Sequence, residues 1–200
     1  GLAPWMSRLP GGLIHVNVVG CALFAAISGS SAATVATVGK MSIPELRKRN
    51  YPEKLLLGSL AGSGTLGLLI PPSIILIIYG VTVQESIAKL FIAGIIPGIM
   101  IAIFFMFYVI GWSVFNKDSM PKTKETFSFS QKMKDSGQLI PVIVLISAVI
   151  GSIYVGIATA TEAASLGVVG ALILSFFQKS LNKETFKLSL LGATRTSCMI

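Results

Sequence analysis

Two short runs of small, hydroxylated and helix-breaking residues carry the chemistry available within the apolar segments of this chain: Ser28–Thr34 and Gly62–Ser73. The first reads Ser-Gly-Ser-Ser-Ala-Ala-Thr and the second Gly-Ser-Gly-Thr-Leu-Gly-Leu-Leu-Ile-Pro-Pro-Ser. Neither contains Asp, Glu, Lys, Arg or His. Their ligands are hydroxyls and backbone carbonyls, a hard oxygen set of little net charge that suits a monovalent cation such as Na⁺. A relay of titratable groups cannot be built from them. Half-helices beginning near Ser31 and Ser73 would turn their positive ends toward the same region, which favours an anionic group. An organic anion moved together with Na⁺ would use both features at once.

The second run requires a break in the helix that carries it. Pro71 and Pro72 lack backbone donors, and their rings clash with the preceding turn. Ile70 and Pro71, each before a proline, are pushed away from helical dihedrals. The apolar segment Leu55–Val81 is therefore expected as a discontinuous helix. In a bilayer such a break is tolerated only where it is buried in protein or lines a polar cavity, as in the discontinuous helices of secondary transporters. A proline kink with only a packing role is the plainer alternative.

The surroundings are those of a membrane protein. Of 200 residues, 53% are hydrophobic and 12% charged, and mean hydropathy is +0.81. Soluble domains carry about a quarter charged residues. The expected fold class is an all-α integral membrane protein, a polytopic helical bundle forming a single membrane domain over residues 1–200. The net charge of +8 is assigned to loops on one side of the membrane and not to nucleic-acid binding. Cys21 and Cys198 lie in apolar segments and read as small apolar residues. Neither terminus looks natural, so a piece of a longer protein is expected.

Leu13–Val38 is long enough to span as one helix, but Ser28-Gly29-Ser30-Ser31 interrupts it. A re-entrant hairpin over residues 13–41, with limbs Leu13–Ile27 and Ala32–Met41, and an ordinary helix with a Ser-rich packing face both fit the residues. A polar loop is expected over Met41–Lys54, a link over Val83–Leu90, and further spans over 91–115, 139–158 and 163–177. Thr161 is the expected cap of the last of these, with Glu162 favoured in its first turn. Placing the basic loops 40–54, 117–137 and 178–187 in the cytoplasm leaves Lys89 as the one basic residue of the assigned segments outside. Trp5, Tyr108 and Trp112 read as interfacial anchors. His15 reads as a packing or interfacial residue and not a ligand. It lies about 22 Å along a helix axis from Ser30, which disfavours an intramembrane serine hydrolase using Ser30 or Ser31. That hydrolase and a purely structural membrane subunit are the competing functions.

Four segments resemble a known family in order along the chain: Phe24–Ala33 (Phe-Ala-Ala-Ile-Ser-Gly-Ser-Ser-Ala-Ala), Gly64–Ser73, Lys89–Gly98 (Lys-Leu-Phe-Ile-Ala-Gly-Ile-Ile-Pro-Gly) and Thr159–Ala164 (Thr-Ala-Thr-Glu-Ala-Ala). They are similar to the large membrane subunit of tripartite ATP-independent periplasmic (TRAP) transporters. Ala160 stands where that family often has Pro. The resemblance implies a middle fragment of the subunit, half of an inverted repeat, with an elevator-type ion-transporter-like fold. It implies that residues 13–41 form a re-entrant hairpin. Ser28, Ser30, Ser31, Gly64, Thr65 and Gly67 would surround Na⁺. Ser31, Ala32, Pro71, Pro72 and Ser73 would form one wall of the substrate site. No catalytic residue, no metal beyond Na⁺ and no organic cofactor is implied. The implied partners are the bilayer, a small membrane subunit that is separate or fused, a periplasmic binding protein and an organic acid anion such as a C4-dicarboxylate, sialic acid or another sugar acid. The implied location is the bacterial inner membrane, and the implied process is Na⁺-driven uptake by a transporter, not an enzyme.

Overall fold

The computed structural model describes residues 3–7, 9–121, 137 and 140–199. Its regular elements are helices. The chain divides into two compact units, residues 1–140 and 141–200, where the sequence alone suggests no boundary. Each unit is described by itself. Of the expected loop 117–137, only residues 117–121 and 137 fall among the described residues.

In the first unit a short helix α1 (Ala3–Met6) leads through a glycine turn into α2 (Ile14–Ser28). Gly29 takes the left-handed conformation with φ 59°, and its N–H bonds to Ala25 O. Ser30 then starts α3 (Ser31–Lys48), its hydroxyl accepting from Ala33 N. So α2 and α3 form a helical hairpin whose whole turn is Gly29-Ser30. Gly20, in α2, faces Val38 of α3, and Cys21, Val38 and Leu60 pack as one buried group.

The second limb is longer than expected. It runs through Pro44 to Lys48, across residues assigned by their charge to a loop. Burial decides this. Leu46 is 2% exposed and packs with Leu13, Ile14, Leu55, Leu56 and Val109. Arg49 pairs with Glu45 at 2.7 Å on the outer face. Burying one Leu stabilises by roughly 1.5–3 kcal/mol, enough to hold a final turn that charge alone would leave frayed. The connection to α4 shrinks to residues 49–52, bridged by an Arg47–Glu53 ion pair.

The helix that follows is interrupted. α4 (Glu53–Gly64) tightens into a 3₁₀ turn (Thr65–Leu68), loses helical form over 69–73 and restarts as α5 (Ile74–Val83). α5 ends at Gln84, whose φ is 57°. α6 then runs from Ile87 to Phe115, with Ser86 as its cap. The expected link Val83–Leu90 is thus reduced to three residues, 84–86. The Ser86 hydroxyl, accepting from Lys89 N at 3.5 Å, starts the helix a turn before the apolar run begins.

α6 has 29 residues, about 43 Å of helix, against a hydrocarbon core of about 30 Å. Among the described residues it is the one helix long and apolar enough to cross a membrane. Its outer face is apolar and exposed, with Ile96 at 77% and Phe115 at 90%. A surface of that kind is at home in lipid.

The second unit holds α7 (Ile140–Tyr154), α8 (Ala160–Phe177) and α9 (Lys183–Met199). Gly167 and Gly170 of α8 lie against Val149 and Leu145 of α7. The cap of α8 is Thr159 and not the expected Thr161. Thr159-Ala-Thr-Glu162 closes a capping box: Glu162 N donates to Thr159 Oγ1 at 3.3 Å, and Glu162 Oε2 accepts from Thr159 N at 2.8 Å. Two orphan amides are satisfied at once, whereas a cap at Thr161 would leave Glu162 without its partner.

Candidate functional site

The two interruptions meet. Gly29 O, at the hairpin turn, accepts from Ile74 N at 3.3 Å, the first amide of α5. A Cβ on Gly29 would lie 2.6 Å from Pro72 O. On the other side of the turn, a Cβ on Gly67 would lie 2.9 Å from Ser30 C and Ser31 N, and 3.0 Å from Ser30 O. Gly64 is closed in the same way by the side chain of Val35, with Ser31 O beyond it. The hairpin turn is therefore clasped between the 3₁₀ turn and the Pro71-Pro72-Ser73 segment, backbone against backbone. Only residues without a side chain allow that approach.

The hydroxyls at this junction differ in what they already do. Ser28 Oγ donates to Thr34 Oγ1 at 2.9 Å and accepts from Ser30 N at 3.4 Å. Ser30 Oγ caps α3, accepting from Ala33 N at 3.4 Å. Thr34 Oγ1 donates to Ser30 O at 2.7 Å. Thr65 is exposed, and its hydroxyl donates to Gly62 O at 2.7 Å. Ser73 is buried, and its hydroxyl donates to Leu68 O at 2.6 Å. Ser31 Oγ alone of this group is buried with no hydrogen-bond partner. A buried polar atom left unpaired costs about 1–3 kcal/mol. That cost is removed if a ligand completes the site.

Of the expected cation group, the structure brings Ser28, Ser30, Ser31, Gly64 and Gly67 to one junction. Thr65 sits at its edge with its hydroxyl turned to its own helix. Of the expected substrate wall, Pro71 and Ser73 are buried, Pro72 is half-buried and meets Gly29, and Ala32 is exposed. No side chain caps α5, because the Ser73 hydroxyl is turned to Leu68 O. The positive end of α5 thus remains open to an acceptor beyond the Ile74–Gly29 bond.

Residues outside the expected cation and substrate sets also position this junction. Gly29 makes the tightest approach to backbone, where a Cβ would lie 2.6 Å from Pro72 O. Thr34 ties the two ends of the turn together. Gly94 and Gly98 of α6 seat the unwound segment: a Cβ at Gly94 would lie 2.8 Å from Leu69 O, and one at Gly98 2.8 Å from Ile70 Cγ1. Their Gly-x-x-x-Gly spacing is a recognised signal for close helix approach. Asn17 joins hairpin to α4, donating to Ser59 Oγ at 3.1 Å, while Ser63 Oγ donates to Ser59 O at 2.6 Å.

His15 is buried in the first turn of α2, and its Nε2 lies 2.8 Å from Pro10 O. Ser30 lies beyond the other end of that helix, about 22 Å away along its axis. The two cannot form a nucleophile–base pair.

Among the described residues, an apolar, exposed α6 and a helix that opens where a hairpin turn meets it are the features expected of a membrane-embedded transporter. A sequence model of the DctM component of tripartite ATP-independent periplasmic transporters matches residues 3–200, and the chain belongs to that family. It is 36% identical to the C4-dicarboxylate TRAP transporter large permease protein DctM of Rhodobacter capsulatus, over 95% of this chain and 46% of that protein. It is 36% identical to the isethionate TRAP transporter permease protein DctMQ of Oleidesulfovibrio alaskensis, over 98% of this chain and 31% of that protein. It is 35% identical to the sialic acid TRAP transporter permease protein SiaT of Haemophilus influenzae, over 90% and 29%. The chain spans less than half the length of these relatives. The family is one of transporters, not enzymes.

Proposed function

We propose that this chain is the part of a TRAP large permease that holds one cation site and one wall of the substrate site, in a transporter whose import of an organic acid anion is driven by the Na⁺ gradient. The observation that carries the proposal is the buried, unpartnered hydroxyl of Ser31 at the junction of the two interruptions. Na⁺ would be held by that hydroxyl with the backbone around Ser28, Ser30, Gly64, Thr65 and Gly67. The anionic group of the substrate would lie toward the start of α5, beside Ser31, Ala32, Pro71, Pro72 and Ser73, where the helix dipole favours it. The substrates named for relatives include C4-dicarboxylate, isethionate, sialic acid and ectoine, each of which bears a carboxylate or sulfonate group, and they support an acid-bearing substrate without choosing among its members.

In the membrane, the α2–α3 hairpin is read as re-entrant. The basic segments 40–54, 117–137 and 178–187, of which 40–48 belongs to α3 and 183–187 to α9, are assigned to the cytoplasmic side of the bacterial inner membrane. The unit is one half of an inverted repeat that moves as an elevator against a scaffold. A small membrane subunit, separate or fused, and a periplasmic binding protein complete the tripartite system that the family name describes.

The test is uptake of a labelled organic-acid panel by the full-length protein with its partners in proteoliposomes, with and without an inward Na⁺ gradient. Ser31→Ala is expected to raise the Na⁺ concentration for half-maximal uptake by roughly tenfold or more, since a hydrogen-bond or ion contact to a charged species is worth about 1.5–3 kcal/mol. It should leave thermal stability unchanged or raised, because it removes an unpaired buried group. Ser30→Ala should instead lower stability by about 1 kcal/mol, the usual loss of an N-cap. Uptake indifferent to Na⁺, or unaltered in Ser31→Ala, would leave the junction as architecture alone.

A further inference from the structure

Away from the junction, the first unit contains a cavity of about 670 Å³ lined by Pro10–Leu13, Lys48, Arg49, Tyr51, Ser113 and Lys117. It lies where the start of α2 meets the ends of α3 and α6. Among the described residues its lining includes three cations and no Asp or Glu. Arg49 is paired with Glu45. Among the described residues neither Lys48 nor Lys117 forms an ion pair. Lysines at helix C-termini would serve their dipoles without any ligand. A shaped cavity with two such lysines on different helices is not needed for that role.

The walls are built and not accidental. Gly11, at φ +98°, lets the chain pass where a Cβ would stand 2.6 Å from Val109 Cγ1 and 3.0 Å from Ser113 Oγ. Gly12, at φ +52°, does the same against the Tyr51 hydroxyl, where a Cβ would stand 2.5 Å away. That hydroxyl accepts from Leu13 N at 3.0 Å, which fixes the ring as one wall. Beside the lysines the surface turns apolar: Val114 is 45% exposed and Phe115 90%. Cations at a cavity mouth with bare apolar side chains two and three positions before Lys117 match the two ends of an anionic phospholipid.

We propose that this cavity is a binding site for the headgroup phosphate of an anionic membrane phospholipid, held by Lys48 and Lys117, with the acyl chains on the Val114–Phe115 face of α6. The free source of the same chemistry is inorganic phosphate, which lacks the apolar half of the contact.

The experiment is native mass spectrometry and thermal-shift measurement on the full-length permease in detergent. It uses phosphatidylglycerol, phosphatidylethanolamine and inorganic phosphate as probes. Phosphatidylglycerol is expected to remain bound and to raise the melting temperature, with the other two doing neither. K48Q/K117Q is expected to weaken phosphatidylglycerol binding roughly 30-fold, at the fivefold or so that each surface cation contributes. Both positions are exposed, so the lipid-free variant should melt with wild type. A phosphatidylglycerol shift that survives in K48Q/K117Q would overturn the proposal. So would an equal shift from phosphatidylethanolamine, or from inorganic phosphate alone.

Discussion

Gly29→Ala is expected to cut Na⁺-driven uptake by at least roughly tenfold, from two independent costs. The first is conformational. Gly29 holds φ 59°, and an alanine there pays about 1–3 kcal/mol. The second is steric. The new methyl would stand 2.6 Å from Pro72 O, 3.4 Å from Pro72 C and 3.5 Å from Ile74 N. All three are backbone atoms, so no side chain can swing aside. Relief requires the hairpin turn and the Pro71–Pro72 segment to part, which breaks the Ile74 N–Gly29 O bond and reshapes the junction. The measurement is uptake by the full-length protein with its partners, normalised to the amount folded in the membrane. Gly20→Ala is the control on the same hairpin. Its methyl would meet only Val38 Cγ1 at 3.7 Å, an ordinary contact, and uptake should stay within about twofold of wild type. Full uptake by Gly29→Ala would mean that the clasp is not part of the transport machinery.

Much of the fold was legible because its signals are local. Pro71, Pro72 and the glycines before them mark a helix that cannot continue, and it tightens to a 3₁₀ turn over 65–68 and opens over 69–73. The Ser-Gly-Ser-Ser run marks a turn and a cap, and both form at Gly29 and Ser30. The Thr-x-x-Glu spacing at Thr159 marks a capping box, although Thr161 drew attention away from it. The end of α3 was not legible, because Leu46 is held by partners far along the chain and charge misreports such a position. The candidate site was legible as a set of residue types but not as a set of roles. Six hydroxyls at the junction look alike in sequence. Hydrogen bonding separates them, spending those of Ser28, Ser30, Thr34, Thr65 and Ser73 locally and leaving Ser31. That difference depends on where Gly67 brings the 3₁₀ turn, which no local pattern encodes. Gly94 and Gly98 carried a readable spacing whose partner, the unwound segment itself, only the fold supplies.

That seat leads to the second large effect. Gly94→Ala should disable transport, Gly98→Ala should weaken it, and Gly111→Ala should leave it intact, although all three change one glycine to alanine on the same helix. At Gly94 the added methyl would meet Leu69 O at 2.8 Å, with Leu76 Cδ1 at 3.2 Å and Pro71 Cδ at 3.8 Å behind it. Leu69 belongs to the segment between the 3₁₀ turn and α5, so its carbonyl cannot move without moving the cation side of the junction. At Gly98 the obstacle is Ile70 Cγ1 at 2.8 Å, a side-chain atom. A β-branched side chain yields only partly, at a cost of about 0.5–1.5 kcal/mol for an off-rotamer position, or a few-fold in uptake. At Gly111 nothing among the described residues lies within 4 Å, and alanine there favours the helix by up to about 1 kcal/mol. The expected order of uptake is therefore Gly111→Ala equal to wild type, Gly98→Ala lower by a few-fold, and Gly94→Ala lower by about tenfold or more, the penalty for overpacking against backbone being about 1–3 kcal/mol. The Na⁺ dependence of what remains decides the cause. If Gly94→Ala raises the Na⁺ concentration for half-maximal uptake, the glycine acts through the unwound segment. If all three variants fall together with unchanged Na⁺ dependence, α6 supports the fold without setting the site.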